Sequence, residues 1–369
     1  MTENEQRLQR LLSGISPLYE APMREAKARQ DALAKPPGSL GLLEEISIRL
    51  AGITGTVKNE ASPTRIYVLA ADNGVVDEGV SCAPRSVTLQ QAINMTRRRT
   101  GMSAMAAAFG DDVAVVDVGI AADVPGVGIL DRKVRRGTGN IAVEDAMTRP
   151  EALAAMAAGM EQAARARADS ITALGIGEMG IGNTSTSAAV LSVLTGADIE
   201  AVTGRGGGLT DEGFARKKDV LRRALTRRAV DKDDVLDVLC AVGGLDIAAM
   251  TGAFLGCAHE RIPAAVDGFI SVVAALCAVT LCPEVRNYLF LSHDSYEVGY
   301  RLAADRLGLE PCLHLGMRLG EGSGCPLLFR VLEGACGVMA GMATFAQAAI
   351  QDDYLDEIRA GDSFTVDKP

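Results

Sequence analysis

The sequence predicts a three-layer α/β/α domain with a mainly parallel, Rossmann-like sheet, together with a small helical domain built from the two chain ends. Three observations predict it. Short apolar runs such as IYVLAA (66–71), VAVVDV (113–118) and YLFLS (288–292) alternate with longer helical patterns, the order that builds parallel βαβ units. Each run ends in glycine and polar residues, as strands do at the ligand edge of an open α/β sheet. A length of 369 residues, 48% of them hydrophobic, suffices for one large domain with an appendage. The expected division is a large domain over 61–324 and a small one from 1–60 and 325–369.

The elements follow in order. Residues 1–30 are polar with Leu8, Leu11, Leu12 and Ile15 on one face, which predicts one amphipathic helix. Pro36 and Pro37 in KPPGSLG (Lys35–Gly41) stop the helical run, and Leu42–Leu50 resumes it. Ile66–Ala71 is a strand ending in Asp72-Asn73-Gly74, Val113–Val118 is a second, and Glu151–Arg167 is an alanine-rich helix. Ile171–Leu174 reads as a strand that breaks into the glycine loop GIGEMGIG (175–182) and re-forms as the helix Ser187–Leu194. Asn183, Thr184, Ser185 and Thr186 are the cap-type residues before it. VTGRGGGLTD (202–211) is a second glycine loop, capping a helix over Glu212–Arg228, and GGLD (243–246) precedes Ile247–Cys257. Ala264–Val266 leads into Asp267-Gly268 and a buried helix, Phe269–Cys282, too short to span a bilayer. Tyr288–Ser292 leads into His293, and Leu313–Leu315 into the last rich loop, MRLGEGSGCP (317–326). A long apolar helix over Leu327–Ile350 closes the pattern.

Composition removes several function classes. A net charge of −10 argues against nucleic acid or an anionic membrane as partner. Aromatics are only 4% and Trp is absent, which argues against stacking platforms for single-stranded nucleic acid. Eight cysteines without a C-x-x-C, and no apolar leader behind MTENEQRLQR, predict a reducing cytoplasm. Three histidines (259, 293 and 314) are too few for a His-rich metal cage, and the acids lack calcium-loop spacing. No metal and no cofactor are expected.

A strand, a glycine loop and a helix N-terminus together make an anion site, because unpaired N–H groups and the helix dipole point at the ligand. Glu178 stands in the middle of that loop, where it would repel a phosphate. It therefore faces a cationic part of the same ligand. A second acid, Glu321, lies among the glycines of LGEGSG (319–324). Two carboxylates at strand ends of one sheet can converge on a cleft, one as a base and one as an electrostatic stabiliser. GIGEMG also matches G-x-G-x-x-G, with Asp198 near the distance of a ribose-binding acid, so an NAD(P)-dependent oxidoreductase is the rival reading. The mid-chain position of the match weighs against it, and no loop continues into the G-K-S/T of a P-loop.

Eight motifs then occur in order: KPPGSLG, ADNGVVDEGVS, GIGEMGIGNTSTSAA, TGRGGGLTDEG, GGLDIAAMTGA, DGFI, SHDSYEVG and RLGEGSG. The set closely resembles the nicotinate-nucleotide–dimethylbenzimidazole phosphoribosyltransferase family, a match that covers roughly residues 10 to 350. The resemblance implies transfer of phosphoribose from nicotinate mononucleotide to a benzimidazole nitrogen, with inversion at C1′, in cobamide assembly. It implies Glu321 as general base and Glu178 as the other essential glutamate. It further implies nucleotide contacts at Gly180, Gly182, Asn183, Thr184, Gly204, Gly206, Lys217, Ser292 and Gly322, and acceptor-base contacts at Ser81, Gln90 and Leu319. Ser295 and Glu297 read as cap residues outside the site. Asn73 and Tyr300 stand where many relatives carry His, and Cys325-Pro326 where smaller residues are usual. The resemblance implies a homodimer, or a heterodimer with a paralogue; a non-catalytic partner subunit is the alternative that the two glutamates count against.

Overall fold

The computed structural model describes residues 3–126, 128–227 and 229–355. Its sheet has six strands: β1 (Thr64–Ala71), β2 (Asp112–Gly119), β3 (Leu130–Asp131), β4 (Ala173–Met179), β5 (Ala264–Val266) and β6 (Leu289–Leu291). They lie in the order β3-β2-β1-β4-β5-β6, with every neighbour parallel. That is the doubly wound order 3-2-1-4-5-6, in which ligands bind beyond the strand C-termini where the chain reverses direction, here between β1 and β4. Helices cover both faces of the sheet, as the alternating pattern predicts. Both central strands are buried along most of their length, as a parallel sheet covered on both faces requires.

By compactness the chain divides into two units, one of Met1–Ser16 with Pro63–Leu328 and one of Pro17–Ser62 with the chain from Phe329 on. Residues 1–16 thus go with the larger unit rather than the smaller one expected from their position. The single helix expected over 1–30 is two helices, Glu3–Gly14 and Glu20–Ala32, because Gly14 and Pro17 interrupt the run. Only the first packs in the larger unit, against the helices Arg149–Ala168 and Leu245–His259. In the smaller unit Ala26, Ala51 and Met339 form a buried cluster, and Arg29 donates to the carbonyl of Met339 at 2.6 Å. KPPGSLG closes around a buried ion pair, Lys35 Nζ to Glu44 at 2.6 Å, and the same carboxylate accepts the Leu40 N–H. Residues 356–369, expected at the end of the small domain, lie outside the described residues.

Four further expectations are corrected. The glycines after Leu174 do not begin a loop: β4 runs on through Gly175, Gly177 and Glu178 to Met179, hydrogen-bonded in register to β1 along its length. The next helix starts at Asn183, with Gly182 as N-cap at φ +95°, so residues 183–186 form its first turn instead of capping it. Leu313–Leu315 is no strand; Leu313 makes a single bridge to His293. The apolar run 327–350 is a helix Cys325–Gly341 and a short one, Phe345–Ala348, started by a capping box at Thr344. The helix after the second glycine loop spans Asp211–Thr226, and its expected last residue, 228, is outside the described residues. Among the described residues no helix is long and apolar enough to cross a membrane.

Candidate active site

An open cleft lies beyond the C-terminal ends of β1, β4 and β5, walled by the β4 end, the turn 180–184 and the loop carrying Glu321. Glu178, the penultimate residue of β4, is buried. It accepts from the Asn183 amide and from the backbone N–H of Glu321 at 3.2 Å. Burial, reinforced by the Asp246 carboxylate and then Asp267, pushes it up to about 8. Asp246, wholly buried at the start of the helix Leu245–His259, accepts from the same Asn183 amide at 3.1 Å and from the Ile247 N–H at 3.0 Å. Burial raises it to about 6.

The loop 319–324 is held from both sides. Asp267, which follows β5, accepts the N–H groups of Gly322 at 2.9 Å and Gly324 at 2.7 Å. On β4, a Cβ at Gly177 would stand 2.6 Å from the Glu321 carbonyl oxygen, so only glycine lets the loop lie this close to the strand. Glu321 itself takes a left-handed backbone, φ +65°, which costs a non-glycine residue roughly 1–2 kcal/mol. The turn aims its carboxylate at the start of the helix Gly101–Phe109, where it accepts the Met102 N–H at 3.4 Å. Burial raises its pKa, and bonds from Thr100 and Met102 offset part of that rise. A buried, raised carboxylate at a cleft wall is suited to take a proton.

A third cluster carries the only positive charge buried in the site region among the described residues. Lys217, fully buried on the helix Asp211–Thr226, donates to Thr184 Oγ1 at 2.9 Å. Burial lowers it to about 8, against the pull of Glu297. Thr184 lies in the first turn of the 13-residue helix Asn183–Thr195, so an ammonium and a helix N-terminus meet at one place, a combination that suits a phosphate.

The family model described as phosphoribosyltransferase matches residues 15–350. A protein of Clostridium perfringens (strain 13 / Type A) named nicotinate-nucleotide–dimethylbenzimidazole phosphoribosyltransferase is 46% identical over 359 residues, covering 97% of this chain and 99% of its own length. The chain belongs to this phosphoribosyltransferase family. A Clostridium tetani protein of the same name is 45% identical over 95% of this chain and 98% of its own. Two crystal structures from Thermus thermophilus, one titled with that enzyme name and the other CobT, superpose with TM-scores of 0.85 and 0.86 at 41% and 42% identity, covering 90% of this chain and 99% of theirs.

Against this phosphoribosyltransferase frame, Glu178, Glu321, Gly180, Gly182, Asn183, Thr184, Gly206, Ser81 and Leu319 all line the cleft. Lys217 stands behind Thr184, and Gly322 behind Glu321 with its N–H on Asp267. Ser292 is buried with its Oγ on the Asp267 carbonyl and His293 Nδ1. Gly204 lies against the Glu297 carboxylate. Gln90 is exposed and outside the cleft wall, where its neighbour Gln91 takes part instead. Ser295 and Glu297, read as caps, both line the cleft. Asp246 and Asp267 were legible only as acids beside glycines; their tie to the two glutamates needed the fold. Cys325 fills the space that Gly175 leaves, since a Cβ there would stand 2.7 Å from the cysteine Cβ. The G-x-G-x-x-G match lies largely within β4, whereas a dinucleotide fingerprint occupies the turn after β1; that turn reads Asp72-Asn73-Gly74 here, which removes the oxidoreductase reading.

Proposed function

We propose that this chain transfers 5-phosphoribose from nicotinate mononucleotide to 5,6-dimethylbenzimidazole or a related lower-ligand base, giving nicotinate and α-ribazole 5′-phosphate in cobamide synthesis. The observation that carries the mechanism is the meeting of Glu178 and Glu321 in one cleft, 143 residues apart in sequence and joined by the hydrogen bond from one backbone to the other side chain. Glu321 takes the N–H proton of the azole, and the opposite ring nitrogen attacks C1′ from the face away from nicotinate. The bond from C1′ to the pyridinium nitrogen breaks with its electron pair on that nitrogen, so departure neutralises the ring and needs no acid. Glu178 stabilises the positive charge that develops on the ribose. The phosphate sits at Lys217, Thr184 and the helix Asn183–Thr195, with Gly180, Gly182, Asn183, Gly204, Gly206, Ser292 and Gly322 shaping the nucleotide side. Ser81 and Leu319, with Gln91 in place of Gln90, contact the base.

The test is incubation with nicotinate mononucleotide and the benzimidazole, with both products followed by chromatography and mass. Equimolar nicotinate and ribazole phosphate are expected, and Glu321→Gln should abolish transfer while calorimetry still detects nucleotide binding. Binding without products across benzimidazole, purine and phenolic acceptors would instead indicate a partner subunit. The same reading places the enzyme in the cytoplasm as a homodimer, which native mass spectrometry distinguishes from a heterodimer with a paralogue.

A further inference from the structure

The acids of the cleft are not equivalent. The hydrogen-bond partners of Glu178 are neutral dipoles, the Asn183 amide and the Glu321 N–H. The charged groups that raise it are acidic, Asp246 from the helix Leu245–His259 and Asp267 from the end of β5, while Glu321 of the loop 319–324 meets it through its backbone N–H with its own carboxylate turned to Met102. Lys217 is engaged with Thr184, and neither Glu297 nor Arg318, which line the same cleft, bonds to Glu178. Asn183 has one NH₂ group, and its two hydrogens serve Glu178 and Asp246 together. Two carboxylates bridged in this way, both buried, repel each other too strongly for both to be charged at little cost.

We propose that Asp246 is a positioning residue that acts through Asn183 to hold a proton on Glu178 in the free enzyme, and that this proton leaves when the pyridinium ring of the nucleotide enters. The inference rests on the phosphoribosyltransferase reading and deepens it. Asp246 keeps its charge although it is wholly buried, because it lies at the N-terminus of a 15-residue helix with the Ile247 N–H on it. Glu178 is the member that opens on the cleft where the nucleotide enters, and burial together with the Asp246 and Asp267 carboxylates raises its pKa. When the nucleotide binds, the positive charge of its pyridinium ring favours the carboxylate. The O–H bond of Glu178 breaks, its electron pair stays on oxygen, and the proton passes through the cleft to solvent. The acid is then charged only when it has a cation to face, and the empty site is spared an uncompensated buried charge.

The experiment is calorimetric titration of the wild type with nicotinate mononucleotide alone, in two buffers of different ionisation enthalpy, between pH 6 and pH 9. Proton release approaching one per chain near pH 7, and absent from Glu178→Gln, is expected. In Asp246→Asn the release at pH 7 should fall by about half. The acid limb of its kcat/KM profile should move down by about one pH unit, a tenfold change in proton affinity. A merely structural Asp246 would lower kcat/KM equally at every pH and leave the proton count unchanged, which would overturn the proposal. So would a wild type that binds the nucleotide with no release beyond that of the nucleotide's own phosphate, and this holds even where a variant fails to fold. Failure of the enzymatic reading is seen separately, as wild-type protein that binds nucleotide yet makes no product at any pH.

Discussion

Replacing Gly177 by alanine tests whether the position of Glu321 is set by the strand beneath it. The added Cβ would stand 2.6 Å from the Glu321 carbonyl oxygen, 2.8 Å from its carbonyl carbon and 2.8 Å from Gly322 Cα. All three are backbone atoms, so no side chain can swing away. Restoring ordinary contact requires the loop to lift by about 0.8 Å. Asp267 resists that movement through its bonds to Gly322 and Gly324, and Glu178 through its bond to the Glu321 N–H. The expected cost in stability is about 1–3 kcal/mol, the usual range for overpacking. The larger effect is on rate, because a displacement near 1 Å can cost on the order of 10²-fold when it moves a reacting group. Steady-state assays should therefore show kcat reduced by roughly 10- to 100-fold with nucleotide affinity nearly unchanged. Gly334→Ala, on a helix where a Cβ meets nothing within 4 Å, is the control and should be neutral or stabilising by up to about 1 kcal/mol. A Gly177→Ala enzyme that keeps wild-type kcat would refute the argument that the strand sets the position of Glu321.

Other outcomes follow from the same geometry. Asp267→Asn puts an NH₂ against one of two loop N–H groups, and should lower kcat together with melting temperature, by about 1.5–3 kcal/mol for the lost charged hydrogen bond. Lys217→Met should raise the KM for the nucleotide with a smaller change in kcat. In the wild type, phosphate affinity should weaken as pH rises past about 8, where the buried ammonium loses its proton. Because the folded-state pKa lies below the unfolded value, that lysine favours the folded state more as pH rises from about 8 toward 10.5, so affinity and stability should move in opposite directions there. Lys35→Met leaves Glu44 buried without its cation, and chemical denaturation should report a loss of about 3–5 kcal/mol.

The sequence by itself determined the parallel α/β class, most of the strands, and the two glutamates as the acids to watch. Periodicity and punctuation are local signals, and they marked β1, β2, β5 and β6 without help from the rest of the chain, although Leu313–Leu315 before Gly316 carries the same signal and makes only one bridge. Tertiary structure decided what the glycines of GIGEM are for. Read locally they look like a loop. In the fold they are strand, hydrogen-bonded to β1, and bare because the Glu321–Gly322 backbone lies against Gly177 and the Cys325 side chain against Gly175. Asp246 and Asp267 likewise carry no local mark of function; the first is joined to Glu178 by an amide 63 residues away and the second to the Glu321 loop across 55. The expected cap at Asn183 failed for the same reason, since its side chain is taken by two buried carboxylates instead of its own helix. Distances along a chain set propensity, but the charge of a buried acid and the reach of a base depend on neighbours that only the folded chain supplies.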